Sequence, residues 1–322
     1  MLLGVNVKDK LYSGILCSFR DCLKVHPGEK IVIVTDDRQL DLAQRFLEVA
    51  IKESLDCVIV AGAAQQGGEP PKIVSDALSQ ADAALLITYG SFSTTRARAN
   101  ATALGVRIAS MPSITEKIVS ETLTGDFHRL RERTQKLARM MDKANRVRIT
   151  TELGMDFSFD ITGRKACTDT GELGSRGAFG NLPCGEACIA PLEGCGDGKI
   201  IVDGVIFGVG IMDTAPLTIT MKEGRITAVE GDYRDKFCSF LDKYDEKARC
   251  LAEFGIGTNE ECRISNNILV DEKVFGTIHL ACGTNKFFGG EQLSNIHYDM
   301  LIKRPTVFFD DVCVLRDGNH VY

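Results

Sequence analysis

KIVIVT (30–35), CVIVAG (57–62) and DAALLIT (82–88) decide the fold of the first half of this chain. Each is a short β-branched or aliphatic run without polar alternation, the pattern of a strand buried on both faces. Upstream, residues 10–24 place Leu11, Ile15, Phe19 and Leu23 on one helical stripe, and Gly28 then breaks the pattern. Asp37 can cap a helix running from Gln39 to about Ser54. Further helices are expected at about 70–80 and 94–103, a short strand at VRIAS (106–110), and helices over most of 114–144. Strands alternating with helices of this length build βαβ units and a parallel sheet. Residues 1–145 therefore read as a doubly wound α/β domain. Its βα junctions contain neither GxGxxG nor GxxxxGK[ST], so nothing local supports nucleotide binding.

From Arg146 the period changes. VRITTEL and MDFSFDI alternate apolar and polar residues, and Gly and Pro then punctuate the chain. Residues 199–210, 216–231, 276–283 and 305–318 read as strands, with a hairpin turn at Glu223-Gly224. One helix is expected at about 233–251, before a loop GIGTN. Residues 146–322 read as an α+β domain of mostly antiparallel strands.

The 322 residues suffice for two domains, and 25% charged with 44% hydrophobic residues is an ordinary globular composition. The net charge of −6 argues against a nucleic-acid partner, whose binding surface would be basic. No run approaches the ~20 apolar residues of a membrane span. MLLGVNVKDKLYSG does not read as a signal peptide, and the twelve Cys are scattered without a CxxC pair. A cytoplasmic protein with reduced thiols is the expectation.

Two of the five His, His279 and His297, fall in the strand-rich half. In HYD, His297 and Asp299 share one face of a strand and can reach one ion together. His279 sits in GTIHLACG among small residues. Imidazole and carboxylate are the usual ligands of a catalytic zinc, iron or manganese ion. Glu186, in NLPCGEACIAP, and Glu253, in LAEFGIGTN, lie in apolar company where a lone carboxylate is costly. Singly, each residue also suits a packed core His or an Arg-paired Glu; together they point to a metal site.

NLPCGEACIAP, AEFGIGTN, GTIHLACGTN and SNIHYDMLIKRPTVFFDD resemble the thermophilic, M29-type metallo-aminopeptidases, strongly over about 150–315 and loosely at STTRARANATALGVRIASMPSIT (93–115). The resemblance implies an α/β N-terminal domain, a C-terminal domain holding two divalent ions, and a homodimer. It places Glu186, Glu253, His279, His297 and Asp299 at metal-ligand positions. Two positions depart from it. Val274 stands where those peptidases carry a second-site Glu, and Lys286 where they carry an active-site Tyr. The same superfamily contains a ring-cleaving branch resembling 2,5-dihydroxypyridine dioxygenase. That branch binds one Fe(II) through two His and one Asp; its first His falls at Glu253 here, the others at His297 and Asp299.

The resemblance, with Glu186 and His279 retained, implies hydrolysis first: cleavage of an N-terminal residue or other amide bond in a small peptide or small molecule. The ion (zinc, manganese or cobalt) would activate a water, and Glu186 would act as general base as well as ligand. Ring cleavage with Fe(II), or another non-peptidase metal chemistry on the same scaffold, is the alternative, and a non-catalytic metal-binding protein is a third reading. With Val274 in place of a carboxylate, one tightly held ion is expected. Cys184 and Cys188 flank Glu186 and are read as small buried hydrophobes. Arg96 and Arg98 are read as helix-surface charge, and Lys286 as a solvated loop lysine.

Overall fold

The computed structural model describes residues 7–62 and 68–322. Part of the N-terminal stretch from which the absence of a leader was read lies outside the described residues. The chain divides into two compact units, Met1–Arg131 with Asp169–Cys184, and Glu132–Thr168 with Gly185–Tyr322. A single boundary at 145/146 does not match that division. The Phe127–Met141 helix straddles it, and a later segment returns to the first unit.

In the first unit the three apolar runs are neighbouring strands of a five-stranded parallel sheet. Its order is Asp56–Ala61, Lys30–Thr35, Ala83–Ile87, Arg107–Ser110 and Phe179–Asn181. Both faces are covered, as the continuous apolar runs require. Ile31 and Ile33 join a cluster with Phe19 and Phe46, while Val32 and Val34 join another with Val74 and Leu78. The N-terminal helix spans Val7–Cys17 and continues as one π turn, Ser18–Cys22. The turn before the Leu40–Lys52 helix is held by Asp36 rather than Asp37: its Oδ1 accepts from the backbone N–H of Arg38 (3.0 Å) and Gln39 (3.1 Å). Arg98 is not a solvated surface charge. Its guanidinium lies 4.3 Å over the Phe179 ring and donates to the Ser93 carbonyl at 2.7 Å, tying its helix to the last strand.

The second unit holds two sheets of mainly antiparallel strands, one of eight and one of seven. They share a core in which the Phe254 ring of one sheet lies 5.4 Å from Phe159 and 6.4 Å from Phe309 of the other. The expected hairpin is present, Leu217–Lys222 against Arg225–Glu230. Glu223 and Gly224 both take positive φ at its turn, the backbone that matches strand twist. Other expectations are corrected. Residues 199–210 are not one strand: Asp197–Val202 stays in the eight-stranded sheet, while Val205–Ile206 and Gly210–Ile211 pass to the seven-stranded one. Residues 305–318 form a hairpin, Thr306–Phe309 with Val312–Arg316. The helix expected to 251 ends early, as Arg234–Leu241, followed by a 3-10 turn at Glu246–Arg249. Leu251–Gly257 is then a strand in which every residue is buried. Glu253 therefore sits mid-strand, not at a helix end. None of the twelve cysteines is in a disulfide. Among the described residues, no helix is long and apolar enough to cross a membrane.

Candidate metal centre

Four adjacent strands of the seven-stranded sheet build the site: Glu186–Ile189, Leu251–Gly257, Ile278–Gly283 and His297–Ile302. Alternation sends Ala187, Ile189, Phe254, Ile256, Leu280 and Met300 into the shared core. The opposite face then carries Glu186, Glu253, His279, His297 and Asp299. Register aligns them. Glu253 is opposite Ala281, which is opposite Asp299, so a methyl group separates two carboxylate-bearing strands. One row along, Gly255 is opposite His279, and a Cβ on Gly255 would overlap the His279 imidazole. The small residues of GIG and HLACG make room for the polar side chains.

Glu253, His297 and Asp299 converge. They offer one ligand atom each, all within 4.8 Å of one another. His297 Nε2 lies 2.9 Å from Glu253 Oε2 and 3.7 Å from Asp299 Oδ1. Its other nitrogen, Nδ1, is 2.8 Å from the carbonyl of Thr284. A carbonyl only accepts, so Nδ1 carries a hydrogen, and without an ion Nε2, 2.9 Å from the Glu253 carboxylate, carries one too; loss of that second hydrogen would turn Nε2 into a ligand. Phe288 stacks on the same imidazole, with ring centroids 5.1 Å apart. Asp299 Oδ1 is buried without a hydrogen-bond partner. Burial alone would lower the His297 pKa, but Asp299 and Glu253 raise it well above 6.5. Burial likewise opposes ionisation of Glu253, yet the imidazoles of His279 and His297 beside it hold its carboxyl well below the usual range. The buried carboxylates thus recruit positive charge wherever it is available. An orphaned carboxylate oxygen and an outward-facing imidazole nitrogen fit a divalent cation.

His279 and Glu186 stand beside this triad. His279 Nε2 is 3.5 Å from Glu186 Oε2 and 3.8 Å from Glu253 Oε1. Burial lowers the His279 pKa, and the Glu253 and Glu186 carboxylates overcome it to about 9. Glu186 is only 8% exposed; its Oε1 accepts from Lys273 Nζ at 2.5 Å, and its Oε2 has no hydrogen-bond partner. Burial pushes the Glu186 carboxyl up, against the pull of that ammonium. Lys273, itself 0% exposed, also donates to Glu272 Oε1 at 2.6 Å. The sequence reading missed Lys273 entirely. In DEKVFG it looks like a solvated lysine, but its carbonyl accepts from the Asn259 N–H (2.9 Å) and its side chain is wholly buried.

The remaining residues singled out in the sequence fall elsewhere. Lys286 is exposed on a 3-10 turn, as read. Val274 offers its carbonyl to Thr277, one residue past the buried lysine. Cys184 belongs to the core of the first unit, while Cys188 shares the Glu186 face and a hydrogen bond with Cys167.

Among known proteins, a family profile described as 2,5-dihydroxypyridine 5,6-dioxygenase (NicX) matches residues 15–322. The chain belongs to the NicX family. The 2,5-dihydroxypyridine 5,6-dioxygenase of Pseudomonas putida is 20% identical to this NicX-family chain over 195 residues, 56% of each. The match thus spans about half the length of that relative. Among solved structures, the 2,5-dihydroxypyridine dioxygenase from Pseudomonas putida KT2440 superposes with a TM-score of 0.82 at 14% identity, covering 99% of this chain and 98% of that one. Wild-type AmpT from Thermus thermophilus gives 0.74 at 15% identity, covering 98% and 100%. Both likenesses concern the fold alone. The family match reverses the order of the two activities expected from the sequence, with ring cleavage now ahead of hydrolysis.

Proposed function

We propose that this NicX-family chain is a mononuclear Fe(II) dioxygenase that opens the ring of a small dihydroxylated nitrogen heteroaromatic. The observation that carries it is the convergence of Glu253, His297 and Asp299, three donors on one sheet face within 4.8 Å of one another. Three ligands on one side would leave other positions open, as in the facial triads of non-haem iron oxygenases, which use two His and one carboxylate. The set here has one imidazole and two carboxylates, with the His279 imidazole beside Glu253. Bound iron would supply the one-electron chemistry that O₂ needs to react with an aromatic ring.

The chain's own residues do the rest. Thr284 holds His297 in one tautomer through its carbonyl. Phe288, half-buried and stacked on His297, offers an aromatic face against which a flat ring can pack. His279, beside Glu253, can exchange a proton with a ring hydroxyl.

A second reading, amide hydrolysis, is supported by the carboxylate-rich donor set and by the unpartnered Glu186 Oε2, which suits a general base. An oxygen electrode separates the two. Protein purified without oxygen and loaded with Fe(II) is expected to consume one O₂ per ring opened with 2,5-dihydroxypyridine as probe, and to leave amino-acid amides intact. Amide cleavage without O₂ uptake would transfer the site to the hydrolase reading.

A further inference from the structure

Two donor groups lie side by side on this sheet face and share Glu253. Its Oε2 faces His297, and its Oε1 faces His279. The first group, with Asp299, has no resident side-chain cation of fixed charge among the described residues. The second, with Glu186, already has one: the wholly buried Lys273 ammonium, 2.5 Å from Glu186 Oε1 and 2.6 Å from Glu272 Oε1. A buried ammonium held between two carboxylates does the electrostatic work that a metal ion would do there.

We propose that Lys273 is the resident cation of the Glu186–His279 end of the site, so that the chain carries one divalent ion, and that removing the Lys273 charge opens a second divalent-cation position on Glu186, His279 and Glu253. The inference deepens the reading above and rests on its metal centre at Glu253, His297 and Asp299. Several features support it beyond the acidic cluster itself. Glu186 Oε2 is buried, without a hydrogen-bond partner, and faces His279 Nε2 at 3.5 Å. Glu186 is thereby half committed to the ammonium and half available. His279 Nδ1 is also buried without a partner, while Nε2 faces both carboxylates, so loss of the Nε2 hydrogen would turn that nitrogen from donor to ligand. The missing Cβ of Gly255 is what lets the imidazole lie beside Glu186 and Glu253. With Lys273 present, a second dication would stand next to a fixed positive charge, and repulsion at such a separation in a buried site is strong. Without it, Glu186 is a buried carboxyl with no fixed cation, beside the half-buried Glu272, and a divalent ion then has only a proton to displace there.

The test counts Mn(II) bound to full-length protein after loading and gel filtration, and follows unfolding temperature as Mn(II) is added. Expected are one ion in wild type, two in Lys273→Met, and one again in the Lys273→Met, Glu186→Gln double variant. The second equivalent should raise the unfolding temperature of Lys273→Met only. Glu186→Gln alone, in which the ammonium keeps Glu272, should still hold one ion; it tests the inference even if Lys273→Met fails to fold. One ion in a folded Lys273→Met, two in wild type, or none in Glu186→Gln would each overturn it. Wild type that binds no ion would contradict the metal centre itself, and this inference with it.

Discussion

Gly255 shows how a residue without a side chain shapes the centre. Its missing Cβ is the space that the His279 imidazole fills. Gly255→Ala is therefore expected to destabilise the protein by ~1–3 kcal/mol, the usual cost of overpacking a core, and to weaken Mn(II) binding by displacing His279 from Glu253. Thermal unfolding and a metal isotherm check this together; a variant indistinguishable from wild type in both would contradict it. The residue scale is also where the sequence was most and least legible. His297 and Asp299 were readable because i and i+2 of a strand share a face whatever the strand pairs with. Glu186 and His279 meet only through register, Glu186 opposite Gly257 and His279 opposite Gly255, which one chain's pattern does not reveal. Lys273 was unreadable for a plainer reason: nothing local distinguishes a lysine under a sheet from one in water.

Among the elements, LAEFGIG was misread because a strand buried on both faces loses the alternation that identifies strands. The parallel strands share that property but are recognisable from their β-branched runs and regular helix spacing. The C-terminal hairpin carries a testable titration. His320 stacks on Phe275 with centroids 4.3 Å apart, and burial, then the Arg133 guanidinium, lower its pKa to about 4. The folded value lies below the unfolded ~6.5. Its contribution to stability is thus fully present above the unfolded value and is lost as pH falls through the window down to about 4. Denaturant midpoints measured across that window should fall more steeply for wild type than for His320→Phe. Parallel slopes would show that His320 titrates normally.

For the molecule as a whole, the division into units is not a single cut. The second unit draws Leu137, Ala138 and Met141 into its core from the helix that begins in the first. It also receives the Arg133 guanidinium on the Thr258 carbonyl at 2.8 Å. Conversely, Phe179–Asn181 completes the parallel sheet beside Arg107–Ser110. A fragment 146–322 lacks those core residues and carries a strand without its sheet, so it is expected to show no cooperative thermal transition. A sharp transition within a few degrees of the full chain would contradict this. The boundary at 145/146 followed the change of period, which marks where strands become antiparallel; it could not register a helix shared by two cores.

The central claim is that one divalent ion sits on Glu253, His297 and Asp299, on the face of the seven-stranded sheet that points away from the core. Its most direct test is an anomalous-difference map from a crystal loaded with Fe(II) under anaerobic conditions. The account predicts one strong peak at coordination distance, ~2.0–2.3 Å, from His297 Nε2 and from a carboxylate oxygen of both Glu253 and Asp299, with Lys273 still bound to Glu186. A map without a peak among these three residues, or with a second peak of equal strength between Glu186 and His279, would contradict it.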